Sequence, residues 1–335
     1  MSAVTVMIES QTGVCLKKHR YERAFCDIFR KNKRRMMKLL MIIILIVIVL
    51  IFLALSVGPY LYVTHPKRYS HEAAENKQRA QGNWGDFDSY TKEPLDITCR
   101  DGYLLHGMFV PAEESSNRYV IITHGYTYTS DGSVKYANIF HALGYHVYLY
   151  DLRHHGNNQS TYCSMGYHEG QDVVDVYDYF RKKHPDAVIG LHGESLGCAS
   201  SVIALGERTD IDFLVADCGF ADFSILAEEL CGQLLHLPKP VTHLASWVSL
   251  LLHGFRLDQI RPIDSFAKNK HTPVLFIHGK DDTFIRCRHS EMMYAACQAP
   301  KELWLVPGAE HAESCEKDRA GYDRRVREFL NTCLQ

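Results

Sequence analysis

The sequence predicts an α/β protein: a doubly wound, mostly parallel sheet with a helical cap insertion, preceded by one transmembrane helix. Short apolar runs alternate with helix-like stretches from about Leu95 onward, as expected of strands buried on both faces and joined by crossover helices. A connection of about 50 residues, Gly219 to Lys270, interrupts that alternation. Leu39–Val57 reads LLMIIILIVIVLIFLALSV, which as a helix spans roughly 28 Å, close to the hydrocarbon thickness of a bilayer.

Charge supports the membrane reading. Residues 1–38 carry ten Lys/Arg against Glu9, Glu22 and Asp27, a net of +7, and residues 39–58 carry no charged side chain. The remainder holds 27 basic and 36 acidic residues, or −9, within a chain whose overall charge is −2. A basic head, a neutral stripe and an acidic body fit a membrane arrangement. They exclude a nucleic-acid partner, which would call for a basic patch on the folded part. A buried core helix is the plainer reading of the stripe, but such helices seldom stay apolar for about five turns. A cleaved signal peptide is another, because Ala54-Leu55-Ser56 loosely resembles a small-residue cleavage site. The 38 residues before the stripe favour an uncleaved anchor. Lys31, Lys33, Arg34, Arg35 and Lys38 crowd its N-terminal side, whereas beyond it Lys67, Arg68, Lys77 and Arg79 face Glu72 and Glu75. The positive-inside rule then puts the N-terminus in the cytoplasm and the body outside it.

The expected organisation is a basic cytoplasmic segment over 1–38, a transmembrane helix over 39–58, a polar, irregular stalk and lead-in over 59–93, and a domain over 94–335 with its cap at about 219–270. Nine of the eleven cysteines follow the anchor (Cys99, Cys163, Cys198, Cys218, Cys231, Cys287, Cys297, Cys315 and Cys333), with no C-x-x-C spacing. That argues against a zinc ribbon or a thioredoxin-like motif. Outside the cytoplasm some could pair, but their scatter fits a body that does not depend on them.

Within the domain, Leu95–Cys99 and Tyr103–Val110 flank Arg100-Asp101-Gly102, a hairpin signal. Buried strands are expected at Tyr119–Thr123, His146–Tyr150, Ala187–Leu191, Asp212–Ala216, Pro273–Ile277 and Glu302–Val306. Helices are expected at Val134–Leu143, Gln171–Lys183, Cys198–Glu207, Ser290–Cys297 and Asp318–Leu330. In the long connection Leu226, Leu230 and Leu234 recur at i, i+4 with Glu228, Glu229 and Gln233 between them, an amphipathic helix. Pro238 and Pro240 are expected to end it, and Trp247–Leu252 starts a second apolar stretch. Such an insertion reads as a cap over the carboxyl edge of the sheet.

The chemistry centres on Gly193-Glu194-Ser195-Leu196-Gly197, directly after the run AVIGL. Glycines on either side permit a sharp strand-to-helix turn that lifts the serine into an exposed, strained position. A serine hydroxyl needs a base. Among 19 histidines, His311 is preferred, because Val306-Pro307-Gly308-Ala309-Glu310 forms a loop after the last expected strand. His278 and His124 each precede a glycine at a strand end and read as turn structure; His154 and His155 read as solvated loop residues. The acid that orients the imidazole comes from His278-Gly279-Lys280-Asp281-Asp282-Thr283. The usual spacing of the motif favours Asp282 over Asp281, and Asp217 is a weaker alternative. Developing charge on the carbonyl oxygen needs donors. These are the N–H of Leu196 and, from the loop His124-Gly125-Tyr126-Thr127, the N–H of Tyr126, whose ring is free to line the pocket.

His124-Gly125, Asp151-Leu152-Arg153-His154-His155-Gly156, Gly193-Glu194-Ser195-Leu196-Gly197, His278-Gly279-Lys280-Asp281-Asp282 and Gly308-Ala309-Glu310-His311 together resemble the α/β-hydrolase superfamily, over about residues 90–333. More narrowly, the chain is similar to bacterial membrane-anchored hydrolases of the serine-aminopeptidase-like and monoacylglycerol-lipase-like branch. His154 departs from the pattern, since relatives often carry Gly before the His. The resemblance implies a triad of Ser195, Asp282 and His311 with no metal and no organic cofactor. It does not name a substrate. The expected activity is cleavage of a hydrophobic acyl ester through an acyl-enzyme, the membrane being engaged through the N-terminal helix. A peptidase or amidase, and a non-catalytic binding protein on the same scaffold, are the alternatives.

Overall fold

The computed structural model describes residues 3–235 and 240–334, and the chain divides into two units, Met1–Leu55 and Ser56–Gln335. Helix α1 runs Ala3–Thr64. In the first unit every side chain from Leu39 to Leu55 is exposed. A window of mean hydropathy 3.6 within Phe25–Thr64 is long and apolar enough for a membrane span or a signal sequence.

In the second unit α1 continues past the expected end at residue 58, through Pro59. Tyr60 and Thr64 are buried, and the carbonyls of Val63 and Thr64 accept from Tyr126 Oη at 2.7 Å and Cys163 N at 2.7 Å. These tertiary contacts extend a helix whose local sequence reads as a stalk. Helix α2, His71–Ala80, also lies where the sequence reads as irregular. Ser70 Oγ caps it by accepting from Ala73 N at 3.2 Å, and it buries only Ala74 and Gln78, too small and too polar a face to register as apolar periodicity.

The first residue of α2 fastens it to the loops around it. His71 Nδ1 lies 2.7 Å from Asp131 Oδ2 and its Nε2 lies 2.8 Å from Asp151 Oδ2. Both nitrogens therefore donate and the ring is an imidazolium. Hydrogen bonds to Asp131 and Asp151 raise its pKa to about 10. The folded-state value exceeds the unfolded one of about 6.5, so this contribution to stability is complete below pH ~6.5 and is lost as pH rises through about 10. We expect His71→Ala to destabilise by roughly 1.5–3 kcal/mol at pH 6, with the gap to wild type closing across that window in urea melts. A gap of constant size would refute the assignment.

The main sheet runs β1 (Glu93–Pro94), β4 (Gly107–Val110), β6 (His146–Tyr150), β5 (Arg118–Thr123), β7 (Val188–Glu194), β8 (Leu214–Asp217), β9 (Val274–Gly279) and β10 (Lys301–Val306) in spatial order. The pairs β1–β4 and β4–β6 are antiparallel and the remainder parallel. The expected hairpin forms a separate ladder, β2 (Ile97–Thr98) against β3 (Leu104–Leu105), turning at Gly102 with φ +85°. Along β5, Ile121 packs into one core layer while Val120 and Ile122 pack into the other. Both faces are thus covered, as a doubly wound sheet requires.

The crossovers include α3 (Val134–Ala142), α4 (Tyr167–Lys183), α5 (Leu196–Leu205) and α9 (Arg288–Ala296), and α11 (Arg319–Cys333) follows the last strand. Helix α4 starts a turn before its expected position, because the buried Glu169 carboxylate accepts from Ser164 N and Gly166 N at 2.8 and 2.7 Å. In the cap, Asp222 caps α6 (Phe223–Leu230), which continues as a π-helical turn, Cys231–Leu235. Pro238 and the side chain of Leu234 lie outside the described residues. Pro240 opens α7 (Pro240–His253) rather than ending a helix, consistent with the tolerance of proline in a first turn. Short helices α8 (Ser265–Lys268) and α10 (Ser314–Lys317) precede β9 and α11. The ten cysteines whose side chains are described are all free thiols.

Candidate active site

The loops after β5, β7, β9 and β10 converge at the carboxyl edge of the sheet. Ser195 stands between the last residue of β7 and the first of α5, with φ 56° and ψ −114°, a left-handed conformation costly for a side chain. The turn is tight enough to need its glycines. A Cβ on Gly193 would sit 2.4 Å from the Gly197 carbonyl oxygen, and one on Gly197 would sit 2.1 Å from that of Thr123.

His311 Nε2 lies 2.9 Å from Ser195 Oγ, and His311 Nδ1 lies 2.7 Å from Asp282 Oδ2. Asp282 is itself buried. Its Oδ1 accepts from Phe284 N at 2.9 Å and Ile285 N at 2.8 Å. His278 Nε2 contacts Ile285 O at 2.7 Å and Asp282 Oδ2 at 3.2 Å. A carbonyl only accepts, so this nitrogen carries the proton, and Ser290 Oγ donates to Nδ1 at 2.7 Å. Burial pushes the Asp282 carboxyl up, but hydrogen bonds from His278 and His311 outweigh it and hold the group at about 2. An ionised Asp282 requires a proton on His311 Nδ1, which leaves the Nε2 lone pair facing the serine hydroxyl. The arrangement can move a proton from Ser195 Oγ to His311.

The other candidate acids lie apart from this relay. Asp281 is exposed and its N–H donates to Ala309 O at 3.0 Å. Asp217 accepts from Tyr136 and Tyr322 hydroxyls at 3.2 and 3.0 Å, and burial pushes it up to about 7. Its backbone has a role instead, since its carbonyl accepts from Ser195 N at 2.9 Å.

Leu196 occupies the first position of α5, where helix geometry leaves an N–H without an intrahelical acceptor. The loop carrying Tyr126 packs beside the serine: a Cβ on Gly125 would stand 3.5 Å from Ser195 Cβ. Histidines hold this loop. His124 Nδ1 donates to Gly125 O at 2.7 Å while its Nε2 accepts from Leu152 N at 2.9 Å. His155 Nε2 accepts from Thr127 N at 3.0 Å and its Nδ1 donates to Arg153 O at 2.6 Å. Contrary to the solvated reading, His154 and His155 are both buried, and burial lowers His155 to about 3, keeping it neutral. A histidine in a polar loop gives no local sign of such burial. Sequence reasoning also passed over Lys135 and Glu194, which form a buried ion pair at 2.8 Å next to Ser195. The available signal was Lys135 as the one Lys, Arg, Asp or Glu in the helical run 134–143.

Ser195 separates two cavities. One, of about 370 Å³, is apolar, with walls from Val63, Met165, Phe220, Phe223 and Leu226. The other, of about 410 Å³, has a mixed wall, with Tyr69, Lys77, Gln78 and Glu313 around it. The Tyr126 and Phe284 side chains border both. A cavity of about 630 Å³ lies apart, beside Arg100, Gln171 and Arg261, and Ser195 and His311 are not among its lining residues. Among the described residues Cys99, Asp172 and Asp175 have metal-ligand spacing. Arg153 already grips both oxygens of Asp172 at 2.6 Å, and Arg100 holds Asp175 at 2.6 Å, so guanidinium groups supply the positive charge there.

The family model for serine aminopeptidases (S33) matches residues 114–253. The Bacillus subtilis protein YqkD is 34% identical over 252 residues, 73% of this chain and 81% of its own length. The lysophosphatidylserine lipase ABHD12 of Danio rerio is 25% identical over 201 residues, 57% of this chain and 50% of its own. Among solved structures, the Pyrococcus furiosus esterase Pf2001 superposes with a TM-score of 0.62 at 23% identity, covering 76% of this chain and 97% of that one. A mostly parallel eight-stranded sheet, a strained serine elbow and likeness to these proteins over most of its length place the chain as a hydrolase that belongs to the α/β-hydrolase superfamily.

Proposed function

We propose that this hydrolase cleaves carboxylic esters with an apolar acyl group. The carrying observation is the hydrogen-bonded series Ser195–His311–Asp282 beside an apolar cavity. His311 takes the Ser195 proton as Oγ attacks the ester carbonyl, and the N–H groups of Leu196 and Tyr126 hold the oxyanion. His311 then protonates the departing alcohol, and water activated by the same imidazole releases the acid and restores Ser195. The apolar wall receives the acyl chain, and the mixed cavity with Lys77 and Gln78 receives the alcohol. Helix 39–58 anchors the protein, with residues 1–38 cytoplasmic and the catalytic domain outside the cytoplasm. Protease added to intact cells or spheroplasts should therefore cleave the body, and full protection would reverse this topology.

The names of the esterase and lipase relatives favour an ester, whereas the aminopeptidase family name favours an amide. Fluorophosphonate labelling, followed by a panel of acyl esters beside aminoacyl and peptide substrates, separates the two readings. Activity confined to amides would overturn the ester reading. Burying each further methylene contributes roughly 0.8 kcal/mol, so kcat/KM should rise about fourfold per methylene until the cavity is filled. Leu226→Trp, which fills that cavity, should lower the octanoyl-to-acetyl ratio of kcat/KM by roughly tenfold. An unaltered ratio would remove the acyl chain from this cavity.

A further inference from the structure

Lysine is among the residues least often fully buried, yet the Lys135 side chain is 4% exposed and sits behind the nucleophile. Its Nζ lies 2.8 Å from Glu194 Oε2, 2.9 Å from Glu316 Oε1 and 3.1 Å from the Ala312 carbonyl oxygen. Glu194 directly precedes Ser195, and Ala312 directly follows His311 with φ 60°. One ammonium on α3 thus ties together the two loops that carry the serine and the histidine.

The Glu194 carboxylate is buried and so needs partners. Its Oε2 also accepts from Tyr136 Oη at 2.6 Å. Its Oε1 points the other way, and a Cβ on Gly125 would come within 3.2 Å of it. That places a carboxylate against the loop whose next N–H, Tyr126, is assigned to the oxyanion. A bare negative charge there would oppose the oxyanion and favour a protonated His311.

We propose that Lys135 is a positioning residue that neutralises Glu194 beside the oxyanion site and holds the Ser195 and His311 loops in register; this rests on the serine-hydrolase reading above. The groups that face the pair are His124 after β5, Tyr136 on α3, His192 on β7, Asp217 on β8, Cys218 after it, Cys315 and Glu316 on α10 and Tyr322 on α11, with His311 and Asp282 across the serine. Burial would discharge Lys135, but the Glu194 and Glu316 carboxylates keep its pKa well above normal. Burial would raise Glu194, and Lys135 and Tyr136 more than offset it, so both partners stay ionised. Asp217, pushed up to about 7 by burial and by Glu194, is the neighbour whose charge the pair also controls.

The test uses the full-length protein and compares wild type, Lys135→Met, Glu194→Gln, the double variant and Lys135→Arg. In Lys135→Met, kcat should fall about 10- to 100-fold with KM within about twofold, and the acid limb of kcat/KM should move up by about one pH unit. Adding Glu194→Gln should restore the limb and at least tenfold of the lost kcat, and Lys135→Arg should restore part of it. Glu194→Gln alone should move the limb down, a measurement that holds even if Lys135→Met does not fold. A limb that stays in place in Glu194→Gln, or a double variant no better than Lys135→Met, would overturn the proposal while Ser195 labelling still supports the hydrolase reading. Absence of Ser195-dependent labelling in wild type would overturn both.

Discussion

Replacing Ser195 by alanine should lower kcat for the best ester substrate by roughly 10⁴- to 10⁶-fold and abolish fluorophosphonate labelling at the same time. In the proposed mechanism the nucleophile, its base and the orienting carboxylate act as a unit, so loss of Oγ would remove covalent catalysis and leave His311 with nothing to deprotonate. KM should change little, because binding depends on the cavities on either side of the serine and not on Oγ. Alanine keeps a Cβ at the same φ of 56°, and the hydrogen bond from residue 195 N to Asp217 O is a backbone bond. The elbow should therefore survive, with a melting temperature close to that of wild type. Labelling that persists in Ser195→Ala would move the nucleophile elsewhere.

The second large effect is expected at Asp282. In Asp282→Asn the carbonyl oxygen would go on accepting from Phe284 N and Ile285 N, now at 2.9 and 2.8 Å. The amide NH2 would then face His311 Nδ1, which must become an acceptor. The proton moves to Nε2, the tautomer that cannot take a proton from Ser195. A fall in kcat of roughly 10⁴ follows, the scale found when a triad acid is neutralised without loss of shape. Asp281→Asn is the control: its side chain is exposed and kcat should stay within about twofold. Steady-state rates at neutral pH decide the matter, and a large loss in Asp281→Asn with none in Asp282→Asn would reverse the assignment.

The sequence was most informative where structure is local. Strand and helix positions in the α/β region were legible because apolar runs and amphipathic spacing are short-range patterns. The elbow was legible because the glycine-flanked serine stands between an apolar run and a helix-forming stretch; the clash that Gly193 avoids is with nearby Gly197, whereas the one that Gly197 avoids is with Thr123 on β5. The sequence was least informative in the lead-in. Helix α2 depends on a serine cap and on an imidazolium held by Asp131 and Asp151, 60 and 80 residues away. His155 looked like a solvated loop residue because Thr127 N, which donates to its Nε2, is 28 residues away and is brought to it by the pairing of β5 with β6. Pro240 looked like a helix end and is a helix start, since proline is compatible with both.

By itself, then, the sequence determined the alternating α/β pattern, the serine turn, an aspartate pair and then a histidine following Ser195 along the chain, and an apolar stretch long enough to cross a membrane. Each of these is a property of neighbouring residues or of their order. Only the tertiary structure brings the His311 imidazole to Asp282 and seals Lys135 against Glu194. It alone joins Val63 to Leu226 in one cavity wall. These depend on contacts between residues far apart in the chain, set by the register of eight strands and by burial, neither of which a local pattern encodes.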